Sequence, residues 1–396
     1  MSFDAMWSAL APVGRAARTG GYRRYAWTRE DATLREWFAG EASARGLDVV
    51  EDRAGNQWAW DTARGDPDAT PGVAVGSHLD SVPDGGAYDG PLGVVSAFAA
   101  LDVLRERGWQ PAVPVAVVNF GDEEGARFGV ACAGSRVITG AMSADRARSL
   151  TDADGTSLAD AMAAAGHDPT HLGRDDEALG RIAHFVELHV EQGKGLVELD
   201  AAVGVASAIR PHGRWRIDLP GRADHAGTTR LADRSDAMLA FARVALAARQ
   251  AAERHHAVAT CGRVRVEPNG INAIAAHVTT WLDARAPRAE QAQAVVADVQ
   301  RVVDGLGGAV TEESWSAATE FAARERTAAV LGGVPILDTG AGHDAGILAN
   351  AGVDAAMLFV RNPTGVSHSP AEHAERADCL AGVDALATVV EVLTRA

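Results

Sequence analysis

Cysteine is scarce in this chain: 396 residues hold three, Cys132, Cys261 and Cys379. They lie far apart, no pair has finger or redox spacing, and the number is odd. A disulfide framework is therefore disfavoured, and reduced thiols in a cytoplasmic protein are expected. Positive charge is short as well, with 37 Lys and Arg against 53 Asp and Glu, a formal net charge of −16. That argues against nucleic-acid or anionic-membrane partners, which need a positive face, although a few local arginines could still hold a small anion. No apolar run approaches the roughly 18–20 residues that span a bilayer. The opening "MSFDAMWSAL" lacks the basic-then-apolar pattern of a signal peptide. No G-x-S-x-G elbow is present, which disfavours a serine hydrolase. "GAGHDAG" lacks the spacing of a dinucleotide loop. No short-period repeat stands out.

What is present is an ordinary globular composition, 47% hydrophobic and 23% charged, on a chain long enough for two domains. Four short apolar runs read as buried parallel strands: "GVAVGS" (72–77), "VPVAVVNF" (113–120), "AHFVELHV" (183–190) and "AAMLFV" (355–360). Between the first two lies "VVSAFAALDVLRERG", apolar at helical spacing and stopped by Gly108. Strand, helix, strand makes the class α/β with a mixed, mainly parallel sheet. The middle differs. A strand and turn (213–229), a long helix (234–256), two alternating strands (261–287), a helix (289–307) and a strand (308–317) follow one another. They predict an α+β module at 210–319, inserted into a domain made of 1–209 and 320–396.

The charged residues gather where the strands end. His78 and Asp80, then Asp89, follow the first strand in "GSHLDSVPDGGAYDGPLG". Glu123 and Glu124 follow the second in "NFGDEEGARFG", His189 closes "FVELH", and His368 follows the fourth in "NPTGVSHSP". Ligands of open α/β sheets bind outside the carboxyl ends of the strands. Imidazole and carboxylate suit zinc, cobalt or manganese, and one aspartate can bridge two ions. Glycines 85, 86 and 90 allow a tight turn. Singly, each feature has a plainer reading. His-x-Asp after a strand is more often a capped turn, Glu-Glu a solvated face, and His189 a satisfied core histidine. Both glutamates can point inward only beyond the strand end, which Gly121 permits. Coincidence at four strand ends favours the metal reading.

"GSHLDSVPDGGAYDGPLG", "GDEEGARF", "FVELHVEQG", "DHAGTT", "GAGHDA" and "GVSHSPAE" occur in that order. Together they resemble the hydantoinase/carbamoylase-type amidases of the dinuclear zinc-peptidase superfamily, over nearly the whole chain. That family includes allantoate amidohydrolases, N-carbamoyl-L-amino-acid hydrolases and β-ureidopropionases. The resemblance implies a zinc-peptidase-like catalytic domain with an inserted lid and dimerisation domain, a homodimer, and two divalent ions per subunit. His78, His189 and Asp89 would hold one ion; Glu124, His368 and the shared Asp89 the other. Asp80 would orient His78, and Glu123 would be the general base for a water between the ions. The peptide after Asp89 would be cis.

His225 of "DHAGTT" would stabilise the oxyanion, reaching a neighbouring subunit's site. Asn272 and Arg285 would hold the substrate carboxylate, though Arg285 could instead pair with Asp283 on the strand surface. Gln192, His212 and His343 would contact or support the substrate, with Asp344 beside His343. Arg230-Leu231 replaces the family's proline-methionine after "HAGTT", so the substrate pocket departs from the pattern. Arg361 could bind substrate or pair with a surface carboxylate. The implied reaction is hydrolysis of a ureido C–N bond. The polar set Gln192, His212, Asn272, Arg285 and Arg361 points to allantoate, a step of purine catabolism, with release of ammonia and carbon dioxide. An N-carbamoyl-L-amino acid is the alternative, followed by a dipeptidase or aminoacylase activity.

Overall fold

The computed structural model describes residues 2–395. Its strands, in chain order, are β1 (Asp48–Glu51), β2 (Gln57–Trp60), β3 (Gly72–His78), β4 (Val115–Phe120), β5 (Ile182–Val190), β6 (Val203–Ile209), β7 (His212–Pro220), β8 (Val258–Glu267), β9 (His277–Arg285), β10 (Ala309–Ser316), β11 (Thr319–Glu320), β12 (Ile336–Thr339) and β13 (Asp354–Val360). The chain divides into two compact units, Met1–Ala208 with Glu320–Ala396, and Ile209–Thr319. The three cysteines are free, and no helix among the described residues is long and apolar enough to cross a membrane.

In the first unit the sheet runs β1-β2-β4-β3-β5-β13-β6-β11, with β12 beside β6. Its centre, β4-β3-β5-β13, is made of the four runs expected to be parallel, and they are parallel. β2 and β6 flank them antiparallel. Val73, Val75, Val117, Val186, Leu188, Val190, Leu358 and Val360 join one core with Phe38, Phe98, Leu101, Val383 and Leu386 of three helices, Arg29–Ala44, Pro91–Glu106 and Arg376–Leu393. Burying such a side chain contributes about 1.5–3 kcal/mol. Because strand residues alternate, His78, Glu187 and His189 fall on the opposite face of β3 and β5, at their carboxyl ends. The helix Pro91–Glu106 starts ahead of the expected Val94, because Gly90 at φ +83° turns the chain and Pro91 is preset for the first helical turn.

The second unit is an antiparallel sheet, β10-β7-β9-β8. The helices Ala237–His255 and Ala289–Gly305 bury Ala240, Val244, Ala248, Val295, Val299 and Val303 against Ile217, Leu219, Val278 and Leu282. That four-residue spacing is the apolar stripe of an amphipathic helix.

Candidate metal centre

Each candidate ligand owes its place to a strand or the turn after it. His78 is the last residue of β3, and His189 lies next to the end of β5; both are fully buried. Asp89 is buried in the turn before the helix Pro91–Glu106. A Cβ on Gly90 would lie 2.4 Å from the His78 ring, so only glycine lets this turn close on the imidazole. Beyond β4, Asp122 at φ +53° turns the chain, so Glu123 and Glu124 leave the strand register. His368, at φ +55°, comes from the loop after β13 and is half exposed.

These residues form two groups that share Asp89. His78, Asp89 and His189 each offer an atom within 4.8 Å of the others, and so do Asp89, Glu124 and His368. Oδ1 of Asp89 faces the first pair, 3.6 Å from His78 Nε2 and 3.1 Å from His189 Nε2. Oδ2 faces the second group, 3.5 Å from His368 Nε2. His368 Nε2 is 3.6 Å from Glu124 Oε2.

The tautomers decide what the groups need. His189 Nδ1 donates to the Val190 carbonyl at 2.9 Å, and His78 Nδ1 donates to the Asp80 carbonyl at 3.3 Å. A carbonyl only accepts, so in the neutral rings each Nε2 is a bare lone pair. His78 Nε2, His189 Nε2 and Glu124 Oε1 are buried without hydrogen-bond partners. Lone pairs converging on a carboxylate call for positive charge between them. The electrostatics say the same. Burial opposes charge on His189, yet Asp89 pushes it up to about 9. Burial likewise opposes charge on His78, and Glu123, Asp80 and Asp89 together raise it well above the imidazole range. Burial would raise Asp89, but His189 and His78 hold it well below the carboxylate range. The nitrogen and oxygen donors fit zinc, manganese or cobalt.

Glu123 stands apart from these ligands. Its Oε2 is 3.7 Å from His78 Nε2, and its Oε1 accepts from the Cys132 thiol at 3.1 Å. Burial, with Asp80 adding to it, lifts its carboxyl to about 7. Asp80 does more than face His78 Nδ1 at 3.3 Å: its two oxygens accept from the backbone N–H groups of Glu123 and Glu124, at 3.1 and 3.0 Å.

Other candidates are drawn into the protein itself. Gln192 donates to Asp89 Oδ2 at 2.9 Å and to Ser367 Oγ at 3.2 Å. His343 packs edge-on against His189, ring centres 4.5 Å apart, and Asp344 accepts from Ser135 at 2.5 Å. Arg361 pairs with Asp378 at 2.8 Å and Asp200 at 3.2 Å. In the second unit, Arg285 forks onto Asp283 at 2.7 and 2.9 Å. Arg230 pairs with Asp233. His212 lies opposite Arg285 in the β7–β9 register. Asn272 is exposed and its carbonyl accepts from Ala226 N–H. His225 is exposed, and its Nδ1 accepts from the N–H groups of Gly227 and Thr228 at 2.9 and 3.2 Å, which places the neutral ring's proton on Nε2.

One expectation is corrected. The Asp89–Gly90 peptide is trans; among the described residues the cis bond is Glu267–Pro268. The positive φ of Gly90 makes the turn instead. Sequence reading also passed over Glu372, Ser367 and Cys132. Glu372 closes "GVSHSPAE" and is buried, a carboxylate inside a motif already singled out. A cavity of about 720 Å³ lies elsewhere in the first unit, lined by Glu51, Arg53, Trp58, Trp60, His167 and Arg181 among others, and none of the candidate ligands borders it.

Comparison with known proteins identifies the family. Residues 74–392 match the model of peptidase family M20/M25/M40, whose enzymes are metal-dependent. An N-carbamoyl-L-amino acid amidohydrolase of Geobacillus stearothermophilus is 37% identical, over 97% of this chain and 96% of its own length. An allantoate amidohydrolase of Escherichia coli K12 is 31% identical, over 94% and 92%. The crystal structure of a hydantoinase/carbamoylase-family amidase from Burkholderia vietnamiensis superposes with a TM-score of 0.88 at 29% identity, covering 99% of this chain and 97% of that one. With its ordered motifs and fold in place, the chain belongs to peptidase family M20/M25/M40, as a hydantoinase/carbamoylase-type amidohydrolase acting on C–N bonds.

Proposed function

We propose that this protein is a two-metal amidohydrolase that cleaves the ureido C–N bond of a small ureido acid. The observation that carries the reading is the division of Asp89, whose two oxygens serve two separate sets of donors. These residues would hold divalent ions, which when bound would supply the Lewis acidity that polarises a ureido carbonyl and lowers the pKa of a water. Glu123 would accept the proton of the attacking water. Its Oε1 already takes the Cys132 thiol hydrogen, which leaves Oε2 for the task. The water oxygen bonds to the carbonyl carbon, the C–N bond breaks, and Glu123 returns the proton to the leaving nitrogen. Asp80 keeps base and ligand in place by holding both their backbone N–H groups. His225 Nε2–H is proposed as a donor to the developing oxyanion. Two copies of the chain are proposed to pair through Ile209–Thr319.

The polar set that pointed to allantoate is largely engaged: Gln192 serves Asp89, Arg285 serves Asp283, and Arg361 serves Asp378 and Asp200. A substrate carboxylate at Arg285 would compete with Asp283. This removes much of the case for a polar far wall, and the Geobacillus relative favours an N-carbamoyl-L-amino acid. Allantoate is the second reading, favoured by the Escherichia relative. The test is a panel of ureido acids assayed for ammonia after reconstitution with zinc, manganese or cobalt. N-carbamoyl-L-methionine or -leucine should be turned over faster than allantoate. The reverse order selects allantoate, and no turnover of any ureido acid overturns the proposal.

A further inference from the structure

We infer that Glu372 is the positioning residue that locks Asp89 between the two groups. The inference rests on the two-metal reading above. Glu372 is buried, and its Oε1 accepts from the backbone N–H groups of both Tyr88 and Asp89, at 2.8 and 2.9 Å. Its other oxygen lies 3.3 Å from the hydroxyl of Ser367, the neighbour of His368, and that hydroxyl lies 3.2 Å from Asp89 Oδ2. One carboxylate thus ties the turn that carries the shared aspartate to the loop that carries the last histidine. Glu372 and Asp89 are 283 residues apart in sequence.

Two further observations support the assignment. Asp80 applies the same device to the Glu123–Glu124 turn, with one carboxylate accepting from two consecutive N–H groups. The turn is also cut to fit: a Cβ on Gly86 would lie 2.4 Å from Glu372 Oε1 and 2.5 Å from its Cβ. Gly86 does not hold a positive φ, so its lack of a side chain serves the glutamate and not the backbone. Without the clamp, the Asp89 turn would lose two hydrogen bonds to a carboxylate, one of them buried, and the two oxygens of Asp89 would no longer be aimed at separate groups.

The test is calorimetric titration of zinc into chelator-treated protein, with circular dichroism as the fold control. Wild type should bind two ions; if it binds none, the two-metal reading fails and the clamp falls with it. Given two ions in wild type, Glu372→Ala should weaken binding by about 10–100-fold, the usual effect of losing a residue that orients metal ligands. Glu372→Gln should restore most of it, because the amide oxygen can accept both N–H groups and the amide nitrogen can donate to Ser367. Wild-type affinity in folded Glu372→Ala overturns the clamp. So does Glu372→Gln binding as weakly as Glu372→Ala, since that result would mean distant charge and not an aimed acceptor. Should Glu372→Ala not fold, Gly86→Ala keeps the carboxylate but displaces it and should show the same loss; unchanged affinity there overturns the inference.

Discussion

Glu123 and Glu124 are neighbours in sequence with different surroundings, and the difference underlies the separate roles proposed for them. Glu124 shares a group with Asp89 and His368 and keeps a buried oxygen without a partner. Glu123 faces His78 with one oxygen and the Cys132 thiol with the other. Glu123→Gln should therefore retain both ions and lose about 10²–10⁴-fold in turnover, the worth of a positioned general base. Elemental analysis beside a turnover assay checks this, and loss of metal in the variant would exchange the two roles. The candidate ligands were legible in the sequence because a histidine or carboxylate at the end of an apolar strand stands out, and the structure brings five such residues into two groups. Glu372 was not, because its contact crosses most of the chain. That the Gln192 amide reaches Asp89 was not legible either, because nothing local reveals it. The Arg285–Asp283 pair was foreseeable, since residues two apart on a strand share a face.

At the scale of elements, the parallel centre β4-β3-β5-β13 was legible from composition alone, because each strand is buried on both faces and reads as a continuous apolar run. The start of the helix Pro91–Glu106 was less so, since Pro91 and Leu92 also suit a turn. That helix lies close to β5: a Cβ on Gly93 would lie 2.3 Å from the Leu188 carbonyl oxygen and 2.6 Å from Ser77 Cβ. Two effects compete in Gly93→Ala. Alanine gains up to about 1 kcal/mol in helix propensity. Pushing a helix away from a buried strand costs about 1–3 kcal/mol. The obstacle is backbone, which cannot swing aside, so overpacking should win. Urea unfolding should show a net loss of stability. A gain would mean that the helix has room to shift away from β5.

For the whole molecule, a formal net charge of −16 keeps copies apart unless an apolar surface brings them together. The second unit offers one. Its helix Ala237–His255 exposes Leu239 and Leu246, at 65% and 63%, and β8, an edge of its sheet, exposes Val258 at 63%. Such side chains and an open strand edge suit a two-fold contact with a second copy. His225 belongs to the same unit, with its ring exposed and the proton of the neutral form on Nε2. The proposed dimer thus raises a question that kinetics can answer: whose metal groups His225 serves. Inactive Glu123→Gln chains and inactive His225→Ala chains are mixed and allowed to exchange. If each His225 serves the partner's site, a mixed dimer holds one doubly damaged site and one intact site. Half of a statistical mixture is mixed dimer with one of its two sites working, so about a quarter of wild-type activity should return. If exchange is verified by mass and no activity returns, His225 works within its own chain. If the protein is monomeric in sedimentation at assay concentration, the pairing through Ile209–Thr319 falls, and with it the need for a shared site.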